Sequence, residues 1–271
     1  MNKPIGVIDS GVGGLTVAHE IMRQLPNEKL IYVGDTKRCP YGSRPRKEVI
    51  SYTLEMVNFL LQKDIKMIVI ACNTATAFTL KILQQKLLIP VIGVIQSGAR
   101  AAINVTNTNH IAVIGTEGTI KSSAYQNALT NINQRIHVTP LACPLFVPMV
   151  EKGIFTGNQA TSIVTDCLNP LKGQRDLDTL ILGCTHYPLI EKTIQHVMGQ
   201  HVQLVSSSEE TARETSVILD VYQMMNKVTQ NQSHEFYTTG NLNIFKQISH
   251  TLFNEEIDNL KTVTIEKVAL S

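Results

Sequence analysis

Two cysteines follow short apolar segments that have the length of buried strands. Cys72 comes directly after MIVIA in the stretch MIVIACNTATAF, and Cys184 comes directly after TLILG in TLILGCTHYPLI. A single buried cysteine is usually an inert core residue. Two cysteines at matching strand ends, each followed by a cluster of polar residues, instead indicate a shared chemical role.

Two thiols that face one cleft from opposite sides are suited to inverting a carbon stereocentre. One group removes a proton from one face of the carbon, and the other delivers a proton to the opposite face. The residue after each cysteine is predicted to open a helix, whose N-terminus favours the thiolate and lowers the thiol pKa from about 8.5. The side chains of Asn73, Thr74 and Thr185 would orient an anionic substrate.

Three further polar residues are candidates to assist this chemistry. Asp9 ends the first apolar segment, where a carboxylate could support a catalytic group or bind an amine. Glu151 and His186 could assist proton transfer. A lone histidine is more often structural, but His186 lies two residues after Cys184. The turn DSGVGG lacks the third glycine of a dinucleotide fingerprint, so we interpret it as a tight turn whose backbone N–H groups could meet an anion.

Alternating strands and helices would position these residues. Short apolar segments that predict strands lie at 5–9, 30–35, 67–71, 91–95, 111–115, 179–183 and 202–206. Continuous apolar strands between helices are typical of a parallel sheet covered on both faces. We therefore predict an α/β fold, in which ligands bind beyond the carboxyl ends of the strands.

Three pairs of similar motifs occur in the same order at nearly constant spacing. IGVIDSGVGG and IAVIGTEGTI begin 106 residues apart, the Cys-Pro motifs at Cys39 and Cys143 are 104 apart, and the two strand-end cysteines are 112 apart. Ordinary βαβ units account for similar strands but not for matched cysteines. We expect two pseudo-symmetric lobes, 1–96 with 207–271 and 97–206, around a central cleft. Cys39 and Cys143 are predicted to be structural.

Composition narrows the class of protein. The 271 residues carry a net charge of +2 and no basic run, so nucleic acid is not expected as the primary partner. There is no signal-like N-terminus and no apolar run of about 18 residues, so we expect a cytoplasmic protein without a membrane span. Five cysteines without a CxxC pair predict free thiols. The Cys184-x-His186 spacing is poor for chelation, and no metal site is expected.

Five motifs together resemble glutamate racemases of the aspartate/glutamate racemase family: IDSGVGGLTV, CPYG, ACNTATA, CPLFVPMVE and LGCTHYPL. The resemblance runs from Ile5 to about Glu214. It implies a homodimeric enzyme that uses no cofactor and makes D-glutamate for peptidoglycan, with Cys72 acting on D-glutamate and Cys184 on L-glutamate. Nothing in the sequence plainly supplies an electron sink such as pyridoxal, although a Schiff-base lysine stays open.

The resemblance also implies which residues surround the substrate. Asp9, Glu151 and His186 would be auxiliary catalytic groups. The expected substrate contacts are Asp9, Ser10, Tyr41, Gly42, Asn73, Thr74, Thr116, Thr119, Thr185 and His186.

Three other functions remain open on the sequence alone. The protein could be a related racemase that acts on another acidic amino acid, such as aspartate. Two lobes around a cleft also suit a non-catalytic amino-acid-binding protein. A thiol redox enzyme would need the Cα atoms of its two cysteines within about 7 Å of each other.

Overall fold

Two β-sheets form the framework of the protein. The structure is a computed structural model that describes residues 3–227, 233–253 and 257–266. Within these ranges the first sheet has six strands and the second has four, and all the strand pairs are parallel. The strands are β1 Ile5–Asp9, β2 Leu30–Gly34, β3 Met67–Ile70, β4 Val91–Gly93, β5 His110–Gly115, β6 His137–Ala142, β7 Thr179–Gly183, β8 Gln203–Val205, β9 Glu235–Thr238 and β10 Leu260–Thr262.

Helices connect the strands and flank the sheets. They are α1 Leu15–Gln24, α2 Arg46–Leu61, α3 Asn73–Lys86, α4 Val94–Val105, α5 Glu117–Lys121, α6 Ala124–Ile132, α7 Phe146–Glu151, α8 Gly157–Leu168, α9 Glu191–Met198, α10 Ser208–Val221 and α11 Leu242–Phe253. In α1, the side chains of Leu15, Ala18 and Ile21 are buried. In the described part of the chain, no helix combines the length and apolar character needed to cross a membrane.

The two sheets share one strand order. The first sheet runs β10-β9-β2-β1-β3-β4 and the second runs β6-β5-β7-β8. The segment β2-β1-β3-β4 therefore matches β6-β5-β7-β8, and the repeated motifs fall on equivalent strands. The prediction of an α/β fold with two parallel sheets is confirmed. Strands β9 and β10 extend the first sheet beyond β2, while the lobe boundaries at 96/97 and 206/207 stay predictions.

The central strands show why the apolar segments were recognisable. Every residue of β1, β3 and β7 is buried, as expected for strands covered on both faces. The strand β6 was not predicted, because it is an edge strand with partly exposed residues and a proline at Pro140.

Two boundaries also differ from the prediction. The strand expected at 91–95 ends at Gly93, and α4 begins at the next residue. The C-terminal stretch TVTIEKVAL contributes only Thr262 to β10, and its residues 267–270 lie outside the described residues.

Candidate active site

The carboxyl ends of four strands bring residues of both lobes together. Asp9 ends β1, Thr74 follows β3, Thr116 follows β5 and Thr185 follows β7. The Thr185 hydroxyl donates to Asp9 Oδ1 at 3.3 Å, and the Oγ1 atoms of Thr74 and Thr116 are 2.9 Å apart. The site is therefore built between the lobes, where parallel strands of both sheets end.

Cys72 is a buried thiol at the first turn of α3. Its Sγ accepts from the Ala75 backbone N–H at 3.5 Å and donates to Ser10 Oγ at 3.4 Å. Burial raises the pKa of Cys72 to about 12, the negative charges of Asp9 and Cys184 add to this, and the two hydrogen bonds oppose it. The prediction that the helix N-terminus lowers this pKa is wrong, because loss of hydration outweighs the contribution of the helix.

Cys184 lies in a different environment. No α-helix opens directly after it, contrary to the prediction. A single 3-10 turn with a proline at its start spans Tyr187–Ile190, and α9 begins only at Glu191. The Cys184 Sγ instead lies 3.8 Å from His186 Nδ1. A protonated imidazole at this distance would stabilise a negative charge on the sulfur.

The buried His186 pairs with the partly buried Glu151 behind Cys184. Their Nε2 and Oε1 atoms are 2.6 Å apart. Burial alone would lower the pKa of His186, but hydrogen bonds with Cys184, Cys39 and Glu151 outweigh it and raise the pKa well above its ordinary value. Burial opposes ionisation of Glu151, yet the hydrogen bond and charge of His186 lower the pKa of Glu151. The arrangement favours an imidazolium–carboxylate pair facing Cys184.

Asp9 is a fully buried carboxyl group that links the lobes. Its Oδ2 accepts from the Gly11 backbone N–H at 2.9 Å, and its other oxygen accepts from Thr185. Burial raises the pKa of Asp9, while the charge of His186 and these hydrogen bonds act in the opposite direction. Asp9 thus contacts Thr185, the residue after Cys184 in the second lobe. Its hydrogen bonds go to Thr185 and Gly11 and not to either cysteine sulfur.

Hydroxyl and amide groups gather where β3 and β5 end. The Oγ1 atoms of Thr74, Thr116 and Thr119 lie 2.9 to 3.1 Å from one another. Asn73 Oδ1 accepts from the Tyr125 hydroxyl at 2.8 Å, but its buried Nδ2 has no hydrogen-bond partner among the described residues. An unpaired buried amide donor is uncommon, and it suits an oxygen atom of a ligand.

Two predicted substrate contacts have other partners in the structure. The Tyr41 hydroxyl donates to Asp35 Oδ2 at 2.5 Å, so it is engaged within the first lobe. The Gly42 carbonyl accepts from Gly118 N at 2.8 Å across the lobes. A Cβ atom at position 42 would lie 2.2 Å from Thr116 Cβ. Gly42 is therefore needed for the close approach of the two lobes.

Comparison with known proteins agrees with this geometry. Residues 5–215 match the Asp/Glu/Hydantoin racemase family. The chain belongs to this family. It is 60% identical to the glutamate racemase of Oceanobacillus iheyensis over 271 residues, which cover 100% of this chain and 98% of that protein.

Solved structures of glutamate racemases share the whole fold of this family member. Isoform RacE1 from Bacillus anthracis is 48% identical with a TM-score of 0.93, covering 97% of this chain and 98% of that one. The Francisella tularensis glutamate racemase, solved in complex with D-glutamate, is 34% identical with a TM-score of 0.90, covering 98% of both chains.

Sequence reasoning missed two residues at the site of this racemase. Cys39 was predicted to be structural, but its Sγ donates to Glu151 Oε1 at 3.7 Å, and burial raises its pKa to about 11. Gly13 allows the first loop to meet the second lobe, since a Cβ there would lie 2.6 Å from Thr185 Oγ1 and 2.7 Å from His186 Nδ1. In the sequence, the glycines of DSGVGG are the feature from which this close packing could have been predicted.

The other predicted structural cysteine behaves as expected. Cys143 is buried in the core of the second sheet, and its carbonyl accepts from the Tyr187 hydroxyl at 3.1 Å.

Within the described residues, one group of side chains has the composition and spacing to bind a metal: Cys39, Glu151 and His186, whose ligand atoms all lie within 4.8 Å of one another.

Proposed function

We propose that this racemase interconverts L- and D-glutamate without a cofactor, by proton transfer between the substrate and two cysteine thiols. The observation that carries the proposal is that Cys72 and Cys184 follow equivalent strands of the two lobes and that each sulfur contacts a polar side chain, Ser10 and His186 respectively. The high identity to proteins named glutamate racemases supports the substrate.

In the direction from L- to D-glutamate, Cys184 acts first. The Cys184 thiolate, beside the imidazolium of His186, takes the α-proton, and the Cys72 thiol delivers its own proton to the opposite face of the carbon. The Cys72 environment suits this role, because burial keeps it protonated. In the reverse direction Cys72 acts on D-glutamate, and the protons are re-equilibrated with solvent between turnovers.

The neighbouring donors would stabilise the developing carbanion. Asn73 Nδ2 and the threonine hydroxyls can donate to the substrate carboxylates, and donors held in a dry site act strongly on developing charge. Asp9, which accepts a hydrogen bond from Thr185, would bind the ammonium group. Closure of the lobes would exclude water, which strengthens these interactions. Ser10, Thr116, Thr119 and Thr185 complete the proposed substrate site.

The cellular setting is part of the proposal. We infer a cytoplasmic homodimer of two-lobed subunits, with lobes 1–96 plus 207–271 and 97–206. All five cysteines are free, which suits a reducing compartment. The D-glutamate produced would be used in peptidoglycan synthesis, as the resemblance to the family implies.

Isotope exchange tests the proposal directly. The protein is incubated with L-glutamate in heavy water without added cofactor, and circular dichroism and deuterium at Cα are followed together. Loss of optical signal with deuterium incorporation is expected. Cys72→Ser and Cys184→Ser should each lower the rate by at least about 100-fold, the typical contribution of a general acid or base, whereas Cys167→Ser should not. Retention of most activity in either serine variant would contradict the two-thiol scheme.

The same experiment separates the alternatives. Faster exchange with aspartate than with glutamate would assign another acidic substrate. Binding of glutamate with neither exchange nor loss of optical signal would favour an amino-acid-binding protein.

A further inference from the structure

Cys39 has no role in the two-thiol scheme, yet its sulfur lies beside the His186–Glu151 pair. We propose that Cys39, Glu151 and His186 form a binding site for a thiophilic divalent cation such as Zn²⁺, and that its occupation inhibits the enzyme. The three residues offer a thiolate, a carboxylate oxygen and an imidazole nitrogen, which are the ligand types that Zn²⁺ takes.

One distance in the cluster matches a tetrahedral zinc site, and a second is shorter than such a site requires. Zinc–ligand lengths of about 2.0 to 2.3 Å imply ligand separations of about 3.6 Å for sulfur to oxygen and about 3.4 Å for nitrogen to oxygen. The Cys39 Sγ to Glu151 Oε1 distance is 3.7 Å. The His186 Nε2 to Glu151 Oε1 distance is 2.6 Å, so a modest shift of the carboxylate accommodates the cation. The metal would take the place of the proton that this pair shares.

The cluster is accessible to solvent through two of its three residues. Cys39 is partly exposed, and the Glu151 side chain is 25% exposed, although His186 is buried. The residue that faces the sulfur and the carboxylate is a glycine. A Cβ at Gly11 would lie 3.0 Å from Cys39 Sγ and 3.3 Å from Glu151 Oε1. Glycine at this position therefore keeps a side chain from crowding the sulfur and the carboxylate.

The second nitrogen of His186 is already oriented. Its Nδ1 faces Cys184 Sγ at 3.8 Å, so Nε2 can bind the metal while Nδ1 keeps its partner, the usual arrangement of a metal-bound histidine. Binding displaces the Cys39 thiol proton and the proton on Nε2, and both pass to solvent. The contact between Nδ1 and Cys184 is kept, but Nε2 and Glu151 are held by the metal, so the pair can no longer exchange the proton that assists turnover. This loss of turnover rests on the proposed function, whereas metal binding itself does not.

Cobalt substitution tests the site by a signal that is independent of racemisation. Addition of Co²⁺ to the full-length protein under reducing conditions should produce a thiolate-to-cobalt charge-transfer band, and Zn²⁺ should displace it. Cys39→Ser should abolish the band and weaken Zn²⁺ binding by at least about 100-fold, the upper end of what loss of a supporting group alone costs. The matched control, Cys167→Ser, removes a thiol outside the cluster and should leave binding and activity unchanged.

A second measurement needs no variant. Zn²⁺ at stoichiometric concentration should protect Cys39 of the native protein from alkylation by N-ethylmaleimide, detected by peptide mass spectrometry, and a chelator should restore both alkylation and activity. A cobalt band that persists in Cys39→Ser would overturn the assignment, as would protection of another cysteine in place of Cys39. Metal binding in a protein without racemase activity would refute the proposed function while leaving this site intact.

Discussion

Replacing Asp9 by asparagine should make Cys72 more acidic and more reactive, even though it should impair turnover. The negative charge of Asp9 is the largest contribution after burial to the raised pKa of Cys72. The asparagine removes that charge and keeps an oxygen that can accept from the Gly11 backbone N–H. Alkylation of Cys72 should therefore accelerate in a variant that racemises more slowly.

The magnitude follows from the environment of the thiol. The pKa of Cys72 is raised from 9.0 to about 12, which corresponds to a cost of roughly 4 kcal/mol for the thiolate at about 1.4 kcal/mol per unit. At pH 9 the thiolate fraction falls from about one half to about one thousandth. Removing a neighbouring like charge is expected to lower the pKa by about one unit, or about tenfold in alkylation rate at a given pH.

The assay is iodoacetamide alkylation read at the Cys72 peptide by mass spectrometry. Restricted access slows the reaction equally at every pH, so the slope of the rate against pH reports the pKa alone. In the unliganded wild type the rate should rise about tenfold per pH unit through about pH 10, where an ordinary thiol levels off. Cys167, whose pKa is lowered by a hydrogen bond from Cys143, provides an internal reference that levels off earlier.

A second variant, Ser10→Ala, tests the direction in which neighbouring groups change the pKa of Cys72. The Ser10 hydroxyl accepts from the Cys72 thiol and can turn to donate to the thiolate, which lowers the pKa of Cys72, so Ser10→Ala should slow alkylation where Asp9→Asn accelerates it. A wild-type rate that levels off near pH 9 would refute the dominance of burial. An unchanged or slower rate in Asp9→Asn would refute the electrostatic role of Asp9.

Two further substitutions test the framework around the site. Lys66→Met removes the partner of Glu28 at 2.5 Å and leaves Glu28 as a buried unpaired charge. The free energy of unfolding in urea should fall by about 3–5 kcal/mol. Adding Glu28→Gln should recover most of this loss, and failure to recover it would show that the charge is not the cause. Gly42→Ala places a methyl group 2.2 Å from Thr116 Cβ and should weaken D-glutamate binding, measured by calorimetry, by about 1–3 kcal/mol. The exposed neighbour Ser43→Ala is its control, and equal effects would argue against steric separation of the lobes.

The fold and the position of the cysteines could be predicted because they depend on local pattern. Continuous apolar segments identified β1, β3 and β7, and parallel strands bring their carboxyl ends to one edge of a sheet. The edge strand β6 could not be found in this way, because its exposed residues have no apolar run.

The interactions of Cys39 could not be predicted from pattern. Cys39 meets Glu151 across 112 residues of sequence, and no periodicity links a loop after β2 to the end of α7. The pKa of Cys72 was misjudged for a related reason. A helix N-terminus can be recognised in the sequence, but the burial that outweighs it depends on side chains from distant strands and helices that pack around the sulfur.

The unequal surroundings of Cys72 and Cys184 have a thermodynamic consequence. Enantiomers have equal free energy in water, so the equilibrium constant between them is unity whatever the enzyme does. On the two-thiol proposal, kcat/KM must therefore be identical in both directions at every pH. Ser10 contacts one sulfur and His186 contacts the other, so kcat and KM can differ between the two enantiomers, but only by the same factor. The enantiomer that binds more tightly must therefore be turned over more slowly.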